Sequence, residues 1–352
     1  MEPVSSVVIG AGQAGLSAAF HLDRLGLRPG HDVVVLDANS RPGGAWQHRW
    51  PSLTMADVHG IADLPDLAAP SAAAIDSANV VVPQYFHDYE SRYALSVLRP
   101  VQVTSVEDLD GSLLRVRAQE RSWLTQTVIN ATGTWERPFV PYYPGAQSFH
   151  GRQMHTRDYA GAGEFAGQHV VVVGAGASAV QLLAELSEVA GTTWVTRHPP
   201  AWRTTPFTEE AGRQAVARVE ERVRQGLPPL SVVSVTGLAL REQEQDALRR
   251  GVYAWQPMFS RITPSGVLWA DGRQQRADAI VWATGFRPDV AHLAPLDLRS
   301  PAGGIALDGT AAVRDPRVQL VGYGPSASTI GANRAGRQAA RNVAHRVQRP
   351  AA

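Results

Sequence analysis

The sequence predicts an α/β fold with two doubly wound parallel sheets, the second inserted into the first. Three observations predict it. A pattern of apolar strand, glycine-rich turn, helix and strand occurs twice, which is the βαβ order of a parallel sheet. Each copy ends much later in an apolar strand followed by Ala-Thr-Gly, so the first runs from Val7 to Gly133 and the second from Val170 to Gly285. The remainder, from Phe286, is too short for a third such unit, yet it holds the strand Val318-Gln319-Leu320-Val321 and a closing helix that would complete the first sheet. The expected division is a first domain over 1–148, a crossing over 149–168, a second domain over 169–285 and a return segment over 286–352.

Composition narrows the chemistry. The chain has 352 residues, 44% hydrophobic and 18% charged, enough apolar material for a large core. A net charge of +1 gives no footprint for nucleic acid or an anionic membrane surface. There is no cysteine, which removes thiol–disulfide exchange and thiolate metal sites, and no metal is expected. There is no lysine, so Schiff-base chemistry and a P-loop lysine are excluded. The N-terminus runs straight into the strand Val7-Val8-Ile9, without the pattern of a signal peptide, and no stretch reaches the about 18 apolar residues of a membrane span. A cytoplasmic protein is expected, with small-molecule partners and a homodimer as the default assembly.

The first glycine-rich turn is Gly10-Ala11-Gly12-Gln13-Ala14-Gly15, between Val7-Val8-Ile9 and a helix over Leu16 to Leu25. Gly10 allows the tight turn, Gly12 lets a pyrophosphate approach the backbone, and Gly15 lets the helix pack on the strand. The helix N-terminus then offers free N–H groups to the phosphates. The next strand, Val33 to Leu36, ends at Asp37, the right place for a carboxylate that accepts from a ribose hydroxyl. An ordinary glycine turn lacks this ordered context, and the set reads as a dinucleotide site of Rossmann type.

The second turn is Gly174-Ala175-Gly176-Ala177-Ser178-Ala179, where alanine replaces the third glycine. Its following strand, Thr193 to Thr196, ends at Arg197 rather than at an acid. A guanidinium there suits the 2′-phosphate of NADPH, with Arg203 as a second clamp. Asp37 suits the free 2′-hydroxyl on the adenosine of FAD. A surface arginine without a ligand is the plainer reading of Arg197. Two adjacent dinucleotide domains let one nicotinamide hand a hydride to one flavin.

Between the domains lies Phe149-His150-Gly151-Arg152-Gln153-Met154-His155-Thr156-Arg157-Asp158-Tyr159. This resembles the FxGxxxHxxxY signature of flavin-containing monooxygenases at Phe149, Gly151, His155 and Tyr159. Asn130-Ala131-Thr132-Gly133, Gly43-Gly44-Ala45-Trp46 with Arg49-Trp50-Pro51, and Trp282-Ala283-Thr284-Gly285-Phe286 are similar to that family in the same order. The resemblance implies that NADPH reduces FAD, that dioxygen adds at flavin C4a, and that the hydroperoxide gives one oxygen atom to a small organic substrate. It places Gly44, Trp46, Val103, Ala131, Gly133, Tyr159, Ala283, Gly285 and Gly322 among the cofactor-binding residues. It makes His155 a catalytic-site candidate, with a role in holding the domain junction near NADPH rather than as an acid or base.

Some positions depart from the family. No asparagine lies between Asn39 and Asn79, and Asp57 and His59 occupy the region expected beside the flavin. Asp57 matches the acid of the ketone-oxidising, Baeyer–Villiger branch, whereas Tyr159 fits the branch that oxidises amines and sulfides. Asp57 is therefore a catalytic candidate, with a solvated loop residue as the alternative. Gly322-Tyr323-Gly324-Pro325 replaces the Gly-Asp pair of related reductases. Trp202, Phe207, Trp255, Met258 and Phe259 are candidates for an apolar substrate pocket or for plain core packing. The competing functions are an NAD(P)H:acceptor reductase or oxidase without oxygen insertion, and a flavin-binding sensor.

Overall fold

The computed structural model describes residues 2–58, 61–203, 209–230, 237–238, 240 and 242–348. The chain begins with β1 (Val4–Ile9), α1 (Gln13–Arg24), β2 (Val33–Leu36), α2 (Ala78–Arg92), β3 (Val97–Leu98), β4 (Ser105–Asp108), β5 (Leu114–Ala118) and β6 (Arg121–Asn130). There follow β7 (Arg152–His155), β8 (His169–Val173), α3 (Ala177–Leu186), β9 (Gly191–Thr196), α4 (Glu209–Arg224) and α5 (Glu242–Arg249). Then come β10 (Trp255–Pro257), β11 (Arg261–Thr263), β12 (Gly266–Leu268), β13 (Gln274–Arg276) and β14 (Ala279–Trp282). The last elements are β15 (Leu307–Asp308), β16 (Ala311–Ala312), β17 (Val318–Leu320) and α6 (Thr329–Val347). The chain divides into two compact units, one of Met1–Thr134, Arg213–Val232 and Pro288–Ala352, the other of Trp135–Gly212 and Val233–Arg287.

The first unit is built on a sheet whose parallel strands run in the order β3-β2-β1-β6-β17. The register sets Val8 opposite Val35 on one side and Ile129 on the other. Val7, Val8, Val33, Val35, Val128 and Ile129 are all fully buried, as parallel strands covered on both faces require. The predicted strand at Val318 does return to this sheet, pairing parallel with β6. α1 buries Leu16, Ala18, Ala19, Phe20 and Leu22 in a core shared with Ala335, Ala339, Ala340 and Val343 of α6. Small residues on α6 let the two helices approach closely.

The second unit holds a parallel sheet in the order β10-β9-β8-β14-β7. β8 supplies Val170 to Val173, and α3 covers it with Ala179, Val180, Leu182, Leu183 and Leu186. An antiparallel set, β11-β12-β13, belongs to the same unit.

Two parts of the chain sit otherwise than the sequence division has them. The expected crossing over 149–168 contributes β7, which pairs Met154 with Val281 and His155 with Trp282 at the edge of the second sheet. Helix α4, expected with the second domain, groups largely with the first unit, where Val223 is buried among Val290, Leu293 and Tyr323. Among the described residues, no helix is long and apolar enough to cross a membrane.

Candidate functional site

Each sheet ends in the same backbone lock. Gly10 has φ +102°, and a Cβ there would lie 2.5 Å from the carbonyl oxygen of Ala131. Gly174 has φ +140°, and a Cβ there would lie 2.1 Å from the carbonyl oxygen of Ala283. In both units the first glycine of the turn thus presses on the alanine of Ala-Thr-Gly, and no side chain fits. Gly15 is equally constrained, since its Cβ would fall 1.8 Å from the Gly10 carbonyl oxygen.

The second glycine of each turn is different. A Cβ on Gly12 would meet only Gly44 Cα, at 3.9 Å, and a Cβ on Gly176 would meet nothing within 4 Å. The bare backbone at these positions faces open space. Gly133 and Gly285 open on space in the same way, and Gly322 lies 3.8 Å from Gly133 Cα and 3.9 Å from the Ala14 side chain by the same measure. Ala14, Gly133 and Gly322 therefore line one cradle beside the start of α1. Gly12 and Gly176 are the N-caps of α1 and α3, and neither cap has a side-chain hydrogen bond, so the first N–H groups of both helices are left for a ligand. These cradles fit the phosphates of two dinucleotides.

Asp37 lies just beyond β2 and is 4% exposed. Its Oδ1 accepts from Asn39 N at 3.0 Å and Asn39 Nδ2 at 2.9 Å, while Oδ2 faces Arg99 at 3.3 Å. Arg99 also forks onto Glu90 at 2.5 and 2.7 Å. Burial pushes the Glu90 carboxyl up, against the pull of Arg99. Sequence reasoning found Asp37 but not Arg99 and Glu90, which lie about 60 and 50 residues away and carry no motif of their own. Val103 is half-buried against the cluster that holds Val7, Ile9 and Leu36. Trp46 packs on the core of α1 and α6, with the Arg49 guanidinium 5.8 Å from its ring.

At the end of β9, Arg197 is exposed and makes no ion pair among the described residues, while Arg203 is half-buried and donates its N–H to Leu238 O at 2.8 Å. Ser178 is half-buried in the first turn of α3, and Ala179 is fully buried behind it.

His155 closes β7 and is 3% exposed. Its Nδ1 accepts from Arg157 N at 3.0 Å and its Nε2 faces Gly285 O at 2.9 Å. The two partners fix one neutral tautomer, with the proton on Nε2 donated to Gly285. Desolvation pulls its pKa down, against the opposing effect of the Gly285 carbonyl. Tyr159 is also buried, its ring stacked on Phe165 at 6.0 Å, and burial beside Glu185 pushes its hydroxyl pKa up. Asp57 is half-buried and caps a turn: its Oδ2 accepts from Thr54 Oγ1 at 2.7 Å and Thr54 N at 3.2 Å.

The aromatic candidates divide. Phe259 is buried in a core with Phe149, Trp269 and Trp282, and Met258 packs on it. Trp202 is set edge-on to Trp194 and beside Tyr253. Trp255 belongs to β10 and is half-buried. His59 and Phe207 lie outside the described residues.

Comparison with known proteins agrees with this arrangement. The profile of the family described as pyridine nucleotide-disulphide oxidoreductase matches residues 7–227. A flavin-containing monooxygenase from Stenotrophomonas maltophilia is 39% identical, superposes with a TM-score of 0.83, and matches across 99% of this chain and 100% of its own. An uncharacterised CzcO-like oxidoreductase of Geobacillus kaustophilus (strain HTA426) is 24% identical, with 82% of each chain covered. Indole-3-pyruvate monooxygenase YUCCA1 of Oryza sativa subsp. japonica is 26% identical over 81% of this chain and 77% of its own. The chain belongs to the flavin-containing monooxygenases, within the wider pyridine nucleotide-disulphide oxidoreductase family. It is an FAD- and NADPH-dependent monooxygenase that uses dioxygen on a small molecule. The disulphide chemistry in the wider family's name is closed to it, because the chain has no cysteine.

Proposed function

We propose that this enzyme oxygenates a small soft nucleophile, a sulfide or an amine, with Baeyer–Villiger oxidation of a ketone as the second reading. The observation that carries the first is Tyr159 at the close of the inter-domain signature, where the amine- and sulfide-oxidising branch of the family has the same residue. Asp57 is what favours the second. Because its carboxylate is held by Thr54, it acts as a positioning residue that closes the loop over 54–57 rather than as an acid or base.

The first unit is the FAD domain. Gly10, Gly12, Ala14 and Gly15 surround the pyrophosphate, with the Gln13 side chain on its flavin side; Asp37 and Val103 take the adenosine, and Gly44, Trp46, Ala131, Gly133 and Gly322 the flavin end of the cradle. The second unit is the NADPH domain. Gly174, Gly176, Ser178 and Ala179 take its pyrophosphate, Arg197 and Arg203 its 2′-phosphate, and Ala283 and Gly285 the approach to its nicotinamide. Bound flavin supplies hydride acceptance and dioxygen activation; the protein's part is to orient both cofactors and to exclude water. His155, with both ring nitrogens engaged, holds the Ala-Thr-Gly turn in place, and Tyr159 is buried against Phe165. Cytoplasmic NADPH makes the cytoplasm the proposed location, and a second copy of the chain is the proposed partner, to be checked by sedimentation.

The deciding experiment offers an aryl methyl sulfide, a tertiary amine and a cyclic ketone to the NADPH-supplied enzyme under labelled dioxygen. One labelled oxygen atom in the sulfide or amine product is expected. A labelled ester from the ketone alone selects the second reading. Peroxide in stoichiometric yield with every substrate overturns both.

A further inference from the structure

Gln13 opens α1 directly after Gly12 and is 9% exposed. Its Nε2 donates twice, to Asn333 Oδ1 at 3.0 Å and to Ala62 O at 3.2 Å. Asn333 in turn donates its Nδ2 to Asp63 O. The two main-chain carbonyls fix both amides, because a flip of either would set oxygen against oxygen. Gln13 Oε1 is therefore an acceptor in identity as well as in name. It is buried and has no donor in the chain among the described residues. A buried acceptor without a donor is costly, so a ligand group that brings a donor to it is stabilised there.

Its place names the partner. Gly12, the neighbour on one side, is the bare position that fits a pyrophosphate. Asn333, the neighbour on the other, lies in the first turns of α6, and Ser17 Oγ of α1 donates to its carbonyl at 3.1 Å. Resting on the reading of this unit as the FAD domain, Gln13 stands between the pyrophosphate and the flavin ring. The part of FAD that joins these two is the ribityl chain, and its only polar groups are hydroxyls. The side chain after β17 does not compete: Tyr323, in place of the acid of related reductases, is buried and takes Ile305 N onto its hydroxyl at 3.0 Å. We propose that Gln13 Oε1 accepts a hydrogen bond from a ribityl hydroxyl of FAD, and that Asn333 and Ala62 hold the amide for that purpose.

The test compares apoprotein binding of FAD, by quenching of flavin fluorescence, with binding of ADP, which has the adenosine and pyrophosphate but no ribityl chain. Gln13→Met should weaken FAD about tenfold, the worth of one neutral hydrogen bond, and leave ADP unchanged. Wild-type apoprotein should show the same loss, without mutation, for one of the FAD analogues deoxygenated at the ribityl 2′, 3′ or 4′ carbon, and Gln13→Met should lose nothing further with that analogue. An unchanged FAD affinity, or equal losses of FAD and ADP, overturns the proposal. A wild-type protein that binds no FAD overturns the parent reading first and this one with it.

Discussion

The Nε2 of His155 and the carbonyl oxygen of Gly285 are 2.9 Å apart, and this one hydrogen bond fastens the end of β7 to the Ala-Thr-Gly turn beyond β14. Phe139 N meets the same carbonyl at 2.9 Å, so Gly285 is gripped from two directions. His155→Ala leaves Arg157 N and one lobe of that carbonyl unsatisfied, and should cost about 1–3 kcal/mol of stability. Equilibrium denaturation measures it. The accompanying fall in flavin reduction rate should show no pH inflection that the wild type has and the variant lacks. Such an inflection would make His155 a proton carrier.

The glycines of the first turn should separate by what surrounds them. Gly15→Ala puts a methyl 1.8 Å from the Gly10 carbonyl and should prevent correct folding. Gly12→Val meets no protein backbone that close, so the apoprotein should fold and melt near the wild type, while FAD affinity drops by about 3 kcal/mol or more through steric exclusion. A yellow Gly12→Val protein would remove the pyrophosphate from this position.

Arg197 is exposed and makes no ion pair among the described residues, so its removal should leave stability unchanged. Arg197→Ala should cut the kcat/KM preference for NADPH over NADH by about 1.5–3 kcal/mol, the contribution of one charged hydrogen-bonding partner. Steady-state reduction kinetics with both nucleotides decide it, and a preserved ratio would assign the 2′-phosphate to other residues.

His21 provides a pH prediction. Burial, with help from Arg337 and Arg341, lowers its pKa from 6.5 to about 4. The folded state therefore binds fewer protons than the unfolded chain between these values. Its contribution to stability is complete above pH 6.5 and is lost as pH falls toward 4. His155 and His169 are shifted in the same direction by burial. The melting temperature should drop across this window, and His21→Gln should flatten the drop. An unchanged slope would show that His21 is solvated in solution.

Asp57→Asn keeps an acceptor for Thr54 and should retain most oxygenation, whereas Asp57→Ala opens the turn and should lower the yield of oxygenated product relative to NADPH consumed. Product and NADPH counted together distinguish these. Loss of product in Asp57→Asn alone would make the charge itself part of the chemistry.

The two parallel sheets were legible because apolar runs, glycine turns and Ala-Thr-Gly all lie in short stretches of sequence. Helix α2 was not, because Pro83 and mixed polarity within Ala78–Arg92 weaken its period. β7 was hidden inside a glycine-rich stretch, and only its pairing with β14 makes Arg152–His155 a strand. In the site, Asp37 and Arg197 could be read from their place after a strand. The Asn333 partner of Gln13 could not, since it is 320 residues away and no periodicity links them. Trp202 and Phe259 were ambiguous in sequence because an aromatic that lines a pocket and one that fills a core have the same composition.

The shared guanidinium of Arg99 has a consequence for traffic between the two cradles. On the assignment proposed above, their backbones are alike enough that each dinucleotide would have a wrong berth as well as a right one. At the first, two carboxylates, Asp37 and Glu90, surround a single cation, and all three side chains are nearly buried. The carboxyl groups outnumber the guanidinium two to one, a surplus of acid over base. A nucleotide bearing a 2′-phosphate would bring its dianion against that surplus in a region of low polarisability, while FAD brings only neutral hydroxyls. On the reading of this unit as the FAD domain, the chain would sort two chemically similar coenzymes by the charge each carries at one ribose position.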